Sequence, residues 1–152
     1  MDLFYLVLMR KIYSAHGRGG IGMLLVKHMM LTKVVTASPN MTVKETIKTL
    51  YEKHIGCVVT IDENNNCIGI FTERDAIRLV AKNVQLDQPL DKVMTKNVIT
   101  IKEDSSIHEV RRIIGSHRIR HLPVVNQKGR LVGLLSVRDV LDQFFGLNSQ
   151  IC

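Results

Sequence analysis

The sequence predicts an α+β fold: two β-α-β-β-α units packed through their sheets around a pseudo-two-fold axis. Three observations predict it. Displacing the 152-residue chain by 64 positions aligns residues 30–79 with 94–143 without a gap. "GIFTERDAI" (69–77) then falls on "GLLSVRDVL" (133–141), with Gly, a hydroxyl residue, Arg and Asp at the same offsets. Between these landmarks, β-branched runs alternate with apolar residues at helical spacing in the same order twice.

Eight of the fifty aligned pairs are identical: Met30/Met94, Val34/Val98, Thr36/Thr100, Glu45/Glu109, Ile55/Ile119, Gly69/Gly133, Arg74/Arg138 and Asp75/Asp139. So few identities leave the argument to pattern. "KVVT" (33–36) and "NVIT" (97–100) are β-branched and suit an extended segment. Thr42 with Glu45 and Ser106 with Glu109 each read as a capping box, in which hydroxyl and carboxylate satisfy the open N–H groups of a helix start. Val43, Ile47 and Leu50 follow at helical spacing, as do Ile107, Val110 and Ile114. "CVVTI" (57–61) and "HLPVV" (121–125) read as strands, and "DENNN" (62–66) and "NQKGR" (126–130) as turns. "CIGIF" (67–71) and "LVGLL" (131–135) complete the sheets, with helices running onward from Ala76 and Val140.

One such unit of about 60 residues buries little surface alone, so two are expected to share a core. The division is an N-terminal extension over 1–22, expected to be flexible, a first unit over 23–86 and a second over 87–152. "AKNVQLDQPLDKVM" (81–94) is a polar tether with one proline, too short to let the halves separate.

Composition excludes several classes. With 45 % hydrophobic and 23 % charged residues the chain is not a disordered protein. The apolar run "LFYLVLM" (3–9) is far shorter than the ~20 residues that span a bilayer, and no leader pattern surrounds it. Three cysteines without CxxC spacing point to reduced thiols and a cytoplasmic location. "GRGGIG" (17–22) matches GxGxxG but lacks the preceding strand and the acidic residue about 20 positions on that a dinucleotide fold needs. His117 and His121 straddle a helix-to-strand loop with no third ligand, so no metal is expected. No nucleophile–base pair or convergent carboxylates mark a catalyst.

The net charge of +7 favours an anionic partner. Residues 1–33 carry five basic residues against Asp2, and "RRIIGSHRIRH" (111–121) is a second basic stretch. Nucleic acid is the alternative partner, but aromatic residues are only 5 % and Trp is absent, which leaves few stacking platforms.

Thr72-x-x-Asp75 and Ser136-x-x-Asp139 sit where a strand enters a helix, and two compatible roles stand side by side. A hydroxyl N-cap with a carboxylate in the first turn stabilises any helix by about 0.5–2 kcal/mol. The same place suits a nucleotide: open N–H groups favour phosphate, and a carboxylate accepts from vicinal ribose hydroxyls. Arg74 and Arg138 offer planar charge for phosphate, an opposing protomer or solvent. Adenine requires an apolar slot, for which Ile55, Val58, Ile119, Leu122 and Pro123 are the candidates, or else plain core. The second copy has Arg120 and His121 where the first has Gly56 and Cys57, so phosphate binding is expected to differ between the two sites.

The ordered set "VMTKNVITI", "RHLPVV" and "LVGLLSVRDVL", with its weaker first copy "GCVVTI…CIGIFTERDAI", resembles a tandem pair of CBS domains, the Bateman module, over residues 25–145. The resemblance implies a regulatory sensor of adenosine-containing nucleotides rather than a catalyst. It implies that Asp75 and Asp139 hold ribose, that Thr72 and Ser136 lie by ribose or phosphate, and that Thr36 and Thr100 contact base or phosphate. AMP, ADP and ATP are the expected ligands, with S-adenosylmethionine and NAD sharing the adenosine handle. A homodimer is expected, joined through helical faces around Ile77, Leu79, Val80, Leu141, Phe144 and Phe145, or these residues form intramolecular core.

Overall fold

The computed structural model describes residues 24–145, with side chains through 142. The extension over 1–22, its "GRGGIG" and the side chains of Phe144 and Phe145 lie outside the described residues.

Two three-stranded sheets form, each pairing its first strand parallel and its last antiparallel to the middle one. The first contains β1 (Thr36–Ala37), β2 (Cys57–Ile61) and β3 (Cys67–Thr72) in that order; the second contains β4 (Ile101–Lys102), β5 (His121–Val125) and β6 (Leu131–Ser136). The helices are α1 (Val43–Glu52), α2 (Glu73–Ala81), α3 (Ile107–His117) and α4 (Val137–Phe145). The twofold strand-helix-strand-strand-helix order is the predicted one.

The 64-residue period extends into the backbone where side chains differ. His54 and Arg118 both take left-handed conformations just beyond α1 and α3, with φ of 52° at each. Asn65 (φ 63°) and Gly129 (φ 81°) do the same in the two hairpin turns, residue types that tolerate that region. Both antiparallel pairings also shift register at the same point, between Thr60 and Ile61 and between Val124 and Val125.

Three local expectations differ from the structure. The first strands are shorter and later than "KVVT" and "NVIT" suggest, because only Thr36–Ala37 and Ile101–Lys102 find partners on β2 and β5. The later helices begin at Glu73 and Val137, three residues before Ala76 and Val140, which agrees with a hydroxyl N-cap and an Asp in the first turn. The two capping boxes are unequal. Thr42 and Glu45 bond reciprocally, whereas Ser106 Oγ accepts from Glu109 N at 3.4 Å and the Glu109 carboxylate faces Arg112 instead, 3.6 Å away.

Each half has its own core, and each core takes a segment from the other repeat. Phe71, Val43, Val58, Leu79 and Leu90 are buried together in the first, and Ile107, Val110, Leu122, Val124 and Leu135 in the second. Burying side chains of this size contributes roughly 1.5–3 kcal/mol apiece. Leu90 and Met94, at the start of the second unit, belong to the first core; Val26 and Met29, at the start of the first unit, belong to the second. Backbone hydrogen bonds fix the exchange. Leu31 and Leu134 bond reciprocally at 2.9 Å, as do Ile70 and Thr95 at 3.0 Å.

This exchange accounts for two of the eight identities. Met94 lies over Gly69 and Met30 over Gly133, so closely that a Cβ at either glycine would overlap the methionine sulfur. Far from the cleft, the turns also meet: Asn65 Nδ2 donates to Leu131 O, and Leu131 N donates to Asn65 O, both at 2.9 Å.

Candidate functional site

The sheet register places the two strand-to-helix caps beside equivalent residues. Thr72 lies opposite Cys57 across β2–β3, and Ser136 lies opposite His121 across β5–β6. Each following helix start is tied to the loop before the middle strand, through Glu73 N to Gly56 O (3.0 Å) and Val137 N to Arg120 O (2.9 Å). Both caps thereby face one cleft between the halves, with a volume of about 530 Å³.

Ten of the expected residues line it: Ile55, Thr72, Arg74, Asp75, Ile119, Arg120, His121, Ser136, Arg138 and Asp139. Five do not. Val58 and Leu122 are fully buried in the two cores, one residue along from Cys57 and His121, because successive strand residues point to opposite faces. Pro123 is likewise buried within β5. Thr36 falls outside because the chain passes the cleft earlier, at Lys33, Val34 and Val35, before β1 begins; in the second copy the corresponding stretch reaches the cleft only at Thr95, and Thr100 falls outside. Leu79, expected on a docking face, is only 2 % exposed and belongs to the first core.

The cleft also contains residues that the sequence did not single out. Lys33, His54, Glu73 and Arg118 line it. His54 and Arg118 arrive there by the left-handed turn after each helix, a conformation hidden when the residue is not glycine or asparagine. Five basic side chains (Lys33, Arg74, Arg118, Arg120, Arg138) face three acidic ones (Glu73, Asp75, Asp139). The balance suits an anion that also needs hydroxyl acceptors.

Both caps are complete capping boxes. Asp75 Oδ2 accepts from Thr72 N (3.0 Å) and Thr72 Oγ1 (2.8 Å), and Asp75 N donates back to Thr72 Oγ1 at 3.3 Å. Asp139 Oδ2 accepts from Ser136 N (3.0 Å) and Ser136 Oγ (2.6 Å), and Asp139 N donates to Ser136 Oγ at 3.1 Å. Each carboxylate thus spends Oδ2 on its helix cap, and Asp75 Oδ1 accepts in turn from Arg78 Nη2 at 2.8 Å.

Where the halves meet, His121 packs against Gly56: a Cβ at that glycine would lie 3.0 Å from His121 Nε2. Burial holds the imidazole below its ordinary value and Arg120 adds to this, while Asp139 and Glu73 oppose it. Burial, with Asp139 and Glu73 adding, pushes the Cys57 thiol up to about 12, and burial raises that of Cys67 to about 11. Neither is a poised nucleophile at neutral pH. Among the described residues no cluster of His, Cys, Asp and Glu is arranged to hold a metal ion, and no helix is long and apolar enough to cross a membrane.

Comparison with known proteins gives a consistent picture. The family model for the CBS domain matches residues 26–82 and again 90–146. An uncharacterized 17.7 kDa protein of Acidianus ambivalens is 37 % identical over 115 residues, covering 76 % of this chain and 70 % of its own. An inosine-5'-monophosphate dehydrogenase of Methanocaldococcus jannaschii is 31 % identical over 113 residues, covering 74 % of this chain but only 22 % of that enzyme. Among solved structures, the CBS domain pair of protein MJ0100, in complex with 5'-methylthioadenosine and S-adenosyl-L-methionine, superposes with a TM-score of 0.75 at 30 % identity, over 82 % of this chain and 98 % of that one. PAE2072 from Pyrobaculum aerophilum, complexed with AMP, gives 0.73 at 26 % identity, over 81 % and 99 %.

Proposed function

The chain belongs to the CBS-domain family as a tandem pair, and on that premise we propose that it is a non-catalytic regulatory module that binds AMP, ADP or ATP in the cleft between its repeats. The observation that carries the reading is the convergence of two hydroxyl-x-x-Asp caps and five basic side chains on one cavity of about 530 Å³. That volume lies within the usual range for small-molecule sites. The Asp75 and Asp139 carboxylates suit ribose hydroxyls, Val34, Val35, Ile55 and Ile119 suit the adenine faces, and the basic residues suit phosphate. Proteins of the same fold bind AMP, 5'-methylthioadenosine and S-adenosyl-L-methionine, which share the adenosine group. Phosphate number changes how the basic side chains are spanned, which shifts the balance between arrangements of the halves for a partner to read.

The protein assembles as a homodimer in this reading. Ile77 and Val80 support it, being 69 % and 63 % exposed on α2, an unusual exposure for aliphatic side chains on a helix whose other face is core.

The test is thermal unfolding with AMP, ADP, ATP, S-adenosylmethionine and GTP, on the native chain and on the Asp75→Ala/Asp139→Ala double variant. A ligand at a hundredfold excess over its Kd stabilises by about 2.7 kcal/mol. Stabilisation by adenosine compounds that the double variant loses supports the reading. Salt-sensitive binding to nucleic acid without any nucleotide response supports a basic docking protein instead.

A further inference from the structure

We infer that the two adenosine positions are unequal, that Asp139 is the readier ribose acceptor, and that Arg78 is the residue that handicaps Asp75. The inference rests on the nucleotide-binding reading and assigns its order of filling. The two carboxylates are capped alike through Oδ2, so any difference lies in Oδ1. Asp75 Oδ1 accepts a 2.8 Å charged hydrogen bond from Arg78 Nη2, one helical turn on, and Arg78 Nη2 is further anchored by Val93 O at 3.4 Å. A ribose hydroxyl approaching Asp75 must therefore share or displace a guanidinium.

In the second repeat the position 64 residues after Arg78 is Asp142, a reversal of charge. Nothing among the described residues pairs with Asp139 Oδ1, and Asp142 instead holds Arg138 Nε at 3.8 Å. One charge exchange thus has two effects. Among the described residues it leaves the acceptor without a charged partner in the second copy, and it pairs Arg138 with a carboxylate along its own helix.

Arg78 is 44 % exposed and the Asp75 carboxyl 17 %, so the pair is partly screened by solvent. Exposed pairs of this kind shift equilibria by up to about fivefold.

The experiment isolates each acceptor with an asparagine, which keeps an amide oxygen for the helix cap. Calorimetric titration with adenosine, which has no phosphate for the other basic residues to hold, is run on Asp75→Asn and on Asp139→Asn. The first, which retains Asp139, is expected to bind about fivefold more tightly. Adding Arg78→Ala to Asp139→Asn is expected to recover most of that factor, while adding it to Asp75→Asn changes the affinity little. Melting curves confirm that each variant is folded. Equal affinity in the two asparagine variants, or the same response to Arg78→Ala in both, overturns the assignment while leaving nucleotide binding in place. No binding of adenosine, AMP or ATP to the native chain removes both.

Discussion

Replacing Thr60 by valine is expected to make the protein more stable. Thr60 lies in β2 with no exposed surface, and its Oγ1 is buried without a hydrogen-bond partner among the described residues. The equivalent position in the second repeat is Val124, equally buried, and the two face Gly69 and Gly133 in matching registers. Valine is nearly isosteric with threonine and already occupies this environment once. Removing an unsatisfied buried hydroxyl recovers its desolvation cost, about 1–3 kcal/mol. For a chain of this size each 1 kcal/mol moves the melting point by roughly 2–4 °C, so a central gain of about 2 kcal/mol raises it by roughly 4–8 °C. Urea unfolding followed by circular dichroism measures the change, with a constant slope showing that the unfolded reference is unaltered. The reverse substitution, Val124→Thr, is expected to cost a similar amount. A fall in stability for Thr60→Val, or none for Val124→Thr, would refute the claim that the hydroxyl is stranded.

Two further outcomes follow from the packing. Gly69→Ala and Gly133→Ala each force a methionine out of place, which costs about 1–3 kcal/mol as overpacking; shortening the facing residue, Met94→Ala or Met30→Ala respectively, in the same chain is expected to be less damaging than the two separate losses combined, read by a double-mutant cycle in urea. His121 makes stability pH-dependent. Its folded pKa lies below the ordinary 6.5, so on acidification the unfolded chain takes up the proton first and stability falls from about pH 6.5 downward. His121→Gln is expected to flatten that part of the profile of urea midpoint against pH, and an unchanged slope contradicts the burial argument.

Much of the fold was legible because its punctuation is local. "CVVTI" and "HLPVV" are β2 and β5 to the residue, each an apolar run that stops where a turn-forming segment, "DENNN" or "NQKGR", begins. Thr72 and Ser136 cap their helices as their spacing to Asp75 and Asp139 implies. What escaped the sequence depends on distant partners. β1 and β4 have only two residues each because β2 and β5 decide where pairing starts, and this moved the cleft lining from Thr36 to Lys33, Val34 and Val35. Val58 and Leu122 carry the right chemistry for an adenine slot and point to the wrong face. Arg118 was visible as charge, but the left-handed turn that delivers it was not, because arginine does not advertise that conformation.

The exchanged segments separate two notions of a half. Along the sequence the units run one after the other; in space each is finished by residues that open its sister. Scission between them, near Asn83, removes Leu90 and Met94 from one interior and Val26 and Met29 from the other, so neither product inherits a whole core. The arrangement works as a covalent handshake. Each unit grips the other's leading arm, and loosening one grip exposes apolar surface on both sides of the cleft.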